Sequence, residues 1–215
     1  MRKSSERLII FSRSTALRLC GLLGLGILIV TSVSLTKNSG TDGYTSLTKI
    51  KNDSLASVKA FREVYSVLMH PRCLNCHPKG DIPLQGDDSH IHNMLPQRGP
   101  DGRGVAAMQC INCHGATGVP GENTAPGNPH WHLPPADMKM VFEGRSAHQL
   151  AKQLIDPSRN GNKDMKALRK HAVDTLVKSG WNMGGDRELP PLTYQEFEAA
   201  WYTWIDNGAY APAED

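Results

Sequence analysis

Two copies of the pentapeptide C-x-x-C-H constrain this 215-residue chain more than any other feature of its sequence. The first copy runs from Cys73 to His77, and the second runs from Cys110 to His114. For a chain with five cysteines and nine histidines, chance would produce on the order of 0.005 such pentapeptides. The fold must therefore bring two thiols and an imidazole together at each of two points.

The C-x-x-C-H pattern is the attachment signature of c-type haem. Two thiols three positions apart on a helical turn can each add to one vinyl group of a porphyrin, and the adjacent imidazole is then held as the proximal iron ligand. The sequence therefore predicts two covalently attached haems. The residues expected to hold them are Cys73, Cys76 and His77 for the first haem, and Cys110, Cys113 and His114 for the second.

Two other chemistries use paired cysteines. A structural zinc site is one, but zinc ribbons usually separate their cysteine pairs by about 15–20 residues, whereas 33 residues lie between Cys76 and Cys110. Disulfides formed in an oxidising compartment are the other. Neither alternative gives a reason for a histidine directly after both pairs, so haem is the preferred interpretation.

The composition of the chain agrees with a fold built around large cofactors. Only 39% of the residues are hydrophobic and 6% are aromatic, and there are 20 glycines and 14 prolines. Much of the chain is therefore expected to form loops, with little aromatic material for a core. A covalently held macrocycle supplies apolar volume that such a chain lacks.

The N-terminus has the pattern of an export segment. Residues 1–18 carry five basic side chains and one acid, and the next 17 residues, 19–35, carry no charge. This stretch is either a cleaved signal sequence or a membrane anchor. Residues 1–35 are thus expected to direct the chain out of the cytoplasm, to a periplasmic or extracytoplasmic location, followed by a linker at 36–52 and a di-haem domain at 53–210.

The charge balance argues against nucleic acid as a partner. The whole chain has a formal net charge of +3, but most of this charge belongs to residues 1–35. The remainder has 19 Lys and Arg residues against 20 Asp and Glu residues. A near-neutral exported domain has no basic footprint of the kind that binds a phosphate backbone.

Apolar spacing and capping residues predict a mainly α fold. We expect helices at 53–69, 146–155, 164–179 and 193–207, and we expect loops elsewhere, including residues 97–105 before the second motif. A first helix, then C-x-x-C-H, then a Pro- and Gly-rich loop with methionine and a terminal aromatic helix resembles the class I cytochrome c plan. That resemblance implies that the first and last helices pack together beside the haem.

Three further runs resemble a family of small exported di-haem cytochromes. They are His70 to Pro78, Leu84 to Asp88 and Trp131 to Pro135. Some members of this family are described as cytochrome partners of isoquinoline 1-oxidoreductase-type molybdenum hydroxylases. The resemblance spans roughly Tyr65 to the C-terminus and implies a loop-rich, class I cytochrome c-like domain that works with redox partner proteins. The chain departs from the family by having no cysteine in its later helices.

Each iron has a second axial position, and histidine or methionine can fill it. His171 borders the apolar positions of the predicted helix at 164–179, and His92 lies between the two motifs. Met138 follows two prolines in a segment that resembles the methionine loop of class I cytochromes. These three residues are the candidate distal ligands, and both two-histidine and histidine–methionine ligation remain open.

These features favour an electron carrier that relays single electrons from a donor dehydrogenase to an acceptor, tethered at the membrane if residues 19–35 are retained. The alternative is a peroxidase-like di-haem enzyme with one five-coordinate haem. Such an enzyme needs an open distal site, which a sequence does not reveal.

Overall fold

The computed structural model describes residues 39–214, with side chains described at residue 43 and from residue 45 onward. The predicted export segment at 1–35 lies outside the described residues. Within them, 39% of the residues are helical and 5% are in strands, which confirms a mainly α fold. The helices are α1 (Ser39–Leu68), α2 (Pro71–Leu74), α3 (Ala147–Leu154), α4 (Met165–His171), α5 (Thr175–Trp181) and α6 (Tyr194–Asp206).

Two short antiparallel ribbons lie in the long connection between α2 and α3. Strand β1 (Leu84–Gln85) pairs with β2 (His90–Ile91), and β3 (Gly104–Val105) pairs with β4 (Met108–Gln109). A single 3₁₀ turn, Cys110–Asn112, follows β4. The prediction that residues 97–105 form no helix is confirmed.

The first helix begins at Ser39, so the predicted start near Asp53 is wrong and residues 39–52 are helical. Residues 45–52 are all exposed, and the first buried side chain of the helix is Ser57. Leu55, the first apolar residue of the helix predicted at 53–69, is 60% exposed. An apolar stripe marks the part of a helix that is buried against the domain, and α1 begins well before that part.

Helices α1 and α6 pack together, as the class I plan implied. The rings of Phe61 and Trp204 lie 4.7 Å apart between centroids. The Ser57 hydroxyl donates to the Trp204 carbonyl over 2.9 Å and accepts from the Tyr210 amide over 2.9 Å. Buried side chains from α1, α3, α4, α5 and α6 form one hydrophobic core.

The predicted caps of α3 and α6 are confirmed. Ser146 and Gln149 form a capping box at α3, and Thr193 and Glu196 form another at α6. The single helix predicted at 164–179 is instead the pair α4 and α5. The chain leaves the helical conformation at Asp174, whose carboxylate accepts from the Leu176 amide over 2.8 Å and so caps α5.

None of the helices in the described part of the chain is long and apolar enough to cross a membrane.

Candidate haem sites

The first C-x-x-C-H motif forms a tight helical turn after α1. Pro71 begins α2, and the His70 ring accepts from the Arg72 amide over 3.3 Å as the N-cap. The amide of Cys76 donates to the Cys73 carbonyl over 3.2 Å. Both thiols are therefore held on one short turn, as attachment to a porphyrin requires.

The His77 ring is oriented by a backbone carbonyl and an aromatic ring. Its Nδ1 atom lies 2.7 Å from the Met140 carbonyl oxygen, and its ring stacks on Phe142 at 3.9 Å with an interplanar angle of 8°. Because a carbonyl oxygen only accepts, Nδ1 carries the proton and Nε2 keeps its lone pair. Burial lowers the pKa of His77 to about 4, against the opposing effect of the Met140 carbonyl, so the ring is neutral at pH 7.

The second motif repeats this arrangement on a different scaffold. Its cysteines lie on the 3₁₀ turn that follows the β3–β4 ribbon. His114 Nδ1 lies 2.8 Å from the Pro126 carbonyl oxygen, and the His114 ring stacks on Trp131 at 4.1 Å with an interplanar angle of 4°. Burial lowers the pKa of His114 as well. Both motif histidines therefore present an unprotonated Nε2.

A cavity of about 390 Å³ opens beside the first motif, and we call it the first cavity. Cys73, Cys76 and His77 line it together with His171 and Met138. The structure thus brings two of the three candidate distal ligands to one cavity. His171 is an exposed residue, and partial loss of solvent around its ring lowers its pKa.

A cavity of about 590 Å³ opens beside the second motif, and we call it the second cavity. Cys110, Cys113 and His114 line it, and so does His92. The His92 and His114 rings lie 6.3 Å apart between centroids, with an interplanar angle of 76°. Both cavity volumes fall in the range of about 300–1,000 Å³ that is usual for cofactor sites.

The two cavities are neighbours. Four residues line both of them, namely Arg72, Cys76, Trp131 and Met183. Cys76 of the first motif and Cys110 of the second motif both line the second cavity, so the two motifs lie close together. The four shared residues therefore form a common wall between the two cavities.

The four described motif cysteines are free thiols. Burial raises the pKa of Cys73 to about 12 and that of Cys76 to about 11, and it also raises the pKa of Cys110. Within residues 39–214, no group of three or more His, Cys, Asp or Glu side chains is arranged to hold a metal ion. The cysteine pairs thus do not converge on one tetrahedral site of the zinc-ribbon kind.

Of three further histidines, two lie away from both cavities and one lines the first cavity. His90 is exposed, and its Nδ1 lies 2.6 Å from Asp88 Oδ1. His148 Nδ1 lies 2.7 Å from the Pro212 carbonyl oxygen. His132 lines the first cavity, with its Nδ1 close to the His130 carbonyl oxygen.

The sequence indicates the two motif histidines but not the carbonyl groups that accept from their rings. The Met140 and Pro126 carbonyls belong to the backbone, so no residue type marks them.

No protein-family model matches this chain, and no curated protein or solved structure matches it significantly.

Proposed function

We propose that this protein is an exported di-haem c-type cytochrome that relays single electrons between a donor oxidoreductase and an acceptor. The observation that carries the proposal is the repeated support of the two motif histidines. Each ring has Nδ1 bonded to a backbone carbonyl, stacks on one aromatic ring and faces a cavity lined by its own cysteines. A metal-binding histidine commonly donates its other ring N–H in this way, which fixes its tautomer and orientation.

The spacing of His92 and His114 supports haem in the second cavity. Two imidazoles that bind one metal ion from opposite sides, each with about 2 Å between nitrogen and metal, have ring centres about 6 Å apart. The observed distance between the two ring centroids is 6.3 Å. Cys110 and Cys113 would therefore form the thioether bonds of this haem, and His114 and His92 would be its iron ligands.

In the first cavity, Cys73 and Cys76 would attach the haem and His77 would be its proximal ligand. His171 and Met138 both line this cavity and are the candidates for the distal position. When bound, haem iron supplies a one-electron couple whose potential depends on the axial ligands and on burial.

Residues of the chain itself orient the two motif histidines and exclude water from the first cavity. The Met140 and Pro126 carbonyls hold the protons of the two motif histidines, so that Nε2 of each ring is presented in one direction. Core side chains such as Phe197 and Trp201 form part of the wall of the first cavity and keep it apolar. Rigid, preformed ligands limit the rearrangement that accompanies a change of charge.

Export and partners follow from the sequence alone and remain part of the proposal. Residues 1–35 would deliver the domain to an extracytoplasmic compartment, with or without an anchor in the inner membrane. The donor would be a dehydrogenase, such as a molybdenum hydroxylase of the kind that the family resemblance implies.

The test is to produce the full chain in a host that attaches c-type haem and to count its haems by pyridine haemochrome. We expect two haems per chain, six-coordinate low-spin spectra and no binding of carbon monoxide. The double variant Cys73→Ala/Cys76→Ala should retain one haem, and so should Cys110→Ala/Cys113→Ala. The matched control, Cys20→Ala, should retain two.

Two results would contradict this proposal. A wild-type chain with bound zinc and no Soret band would exclude haem attachment. Two haems of which one binds carbon monoxide and turns over peroxide would instead favour the peroxidase-like enzyme.

A further inference from the structure

Arg72 lies in the common wall of the two cavities. It follows Pro71 in α2, directly before the first motif cysteine, and its side chain is only 4% exposed. Arginine remains charged even when it is buried, so a guanidinium in this position needs acceptors or anions around it.

The contacts of Arg72 do not satisfy that need. Its Nη1 atom lies 3.9 Å from the Met183 sulfur, which is a weak acceptor. Its Nη2 atom forms an ion pair with Asp87, whose side chain is one-third exposed. Its Nε atom has no hydrogen-bond acceptor among the described residues. Leaving such a donor unsatisfied in a buried site costs about 1–3 kcal/mol.

Arg98 is a second buried arginine and serves as a comparison. Its side chain is 1% exposed, and it donates to the Pro134 carbonyl over 2.6 Å and to the Gly80 carbonyl over 3.0 Å. Its Nε lies 3.6 Å from Asp81 and, like Nε of Arg72, has no hydrogen-bond partner among the described residues. Arg98 lines neither cavity. Of these two buried arginines, only Arg72 therefore has its unsatisfied Nε at a cavity wall.

We propose that Arg72 binds carboxylate groups of the cofactors that fill the two cavities, which for haem are the propionates. This inference rests on the proposed function. A planar guanidinium with several donors suits carboxylates at more than one position. From the common wall, its positive charge would disfavour the more positive, oxidised form of both irons, and so would raise both midpoint potentials.

The experiment is a potentiometric titration of the full, haem-loaded chain. In Arg72→Gln we expect both midpoint potentials to fall, with the ratio of reduced to oxidised haem at a fixed potential reduced about tenfold. A tenfold change corresponds to about 59 mV for a one-electron couple. Arg72→Lys keeps the charge and should shift both potentials less than Arg72→Gln does.

Two further variants separate this role from a structural one. Asp87→Asn removes the competing anion from Arg72 and should raise both potentials, which loss of structure would not do. Arg98→Gln should lower the free energy of unfolding without a matching fall of both potentials. If Arg72→Gln fails to fold, Arg72→Lys and Asp87→Asn still decide the question.

Unchanged potentials in Arg72→Gln and Asp87→Asn would overturn the inference, and a shift confined to one haem would overturn the shared role of Arg72. A wild-type chain without haem would overturn the proposed function instead, so the two failures are distinguishable.

Discussion

At the scale of single residues, the first cavity has two candidates for the distal position. His171 and Met138 both line it, and His171 lies at the last residue of α4. Its pKa is lowered by burial, so the ring is neutral at pH 7 and has a lone pair for iron. A thioether favours ferrous iron more than an imidazole does, so histidine ligation would give the lower potential and methionine would raise it.

We therefore expect His171→Ala to open the first site and His92→Ala to open the second. Each variant should gain carbon monoxide binding at one haem of two, because a distal ligand has been removed. Met138→Leu preserves the volume of the side chain and should leave the spectrum unchanged. The control is His90→Ala, since His90 is exposed and lines neither cavity.

The opposite pattern would assign the methionine. If Met138→Leu binds carbon monoxide and loses the near-infrared band of methionine ligation, while His171→Ala does neither, then the first haem has histidine–methionine ligation.

Asp81, four residues after His77, forms an ion pair that should contribute to stability. Its Oδ1 lies 2.8 Å from Lys139 Nζ, and this hydrogen bond is the main reason why the pKa of Asp81 is lowered from its usual value. A carboxyl group whose pKa is lower in the folded chain stabilises the fold above its usual pKa, and this contribution is lost as the pH falls through the folded value.

Asp81→Asn should therefore lower the free energy of unfolding at pH 7 by a small amount. The difference from wild type should disappear as the pH falls below 3.8. Denaturant titrations at several pH values measure this directly. Asp137→Asn is the matched control, because Asp137 is exposed and no described residue forms an ion pair with it; an equal pH dependence in both variants would contradict the assignment.

Among the elements, α4 and α5 are separated by a break next to the first cavity. Asp174 caps α5 and separates it from α4, which ends at His171. His171 and Asp174 both line the first cavity. The break therefore lies in the wall of that cavity.

Asp174→Ala should lower the free energy of unfolding by about 1 kcal/mol, the usual cost of losing an N-cap. Asp174→Asn retains a capping oxygen and should change stability little. Thermal or denaturant unfolding of the haem-loaded protein distinguishes the two. Equal losses in both variants would mean that the carboxylate acts through its charge and not as a cap.

Local signals explain which elements could be predicted from the sequence. The capping boxes at Ser146 and Thr193 depend on residues three positions apart, so the sequence indicates them directly. The predicted start of α1 is wrong because an apolar stripe indicates only the buried part of a helix, and residues 45–52 of α1 are exposed. The break at Asp174 was missed because a mid-helix aspartate also occurs on exposed helix faces. The supports of His77 and His114 come from distant backbone carbonyls, which no local pattern reveals.

For the molecule as a whole, the packed domain begins well inside α1. Residues 45–52 are exposed, and the buried contacts of the helix start at Ser57. Under the proposed function, a chain that begins at Asp53 and is exported by the cleavable signal of another protein should therefore bind two haems with the potentials of the full chain. Haem counting and potentiometry on this shorter chain check the expectation, and loss of either haem would show that the preceding segment supports a site.

The two sites also differ in what surrounds them. The first cavity is lined by core side chains from five helices, whereas the second is lined mainly by loops and by the two short ribbons. Backbone in loops opens locally at low free energy, while packed helices open only when the domain unfolds. Amide hydrogens near His114 should therefore exchange faster than those of α6 in the haem-free chain. A cofactor that fills the second cavity, as proposed, would then enter by local opening of these loops, without unfolding of the packed helices.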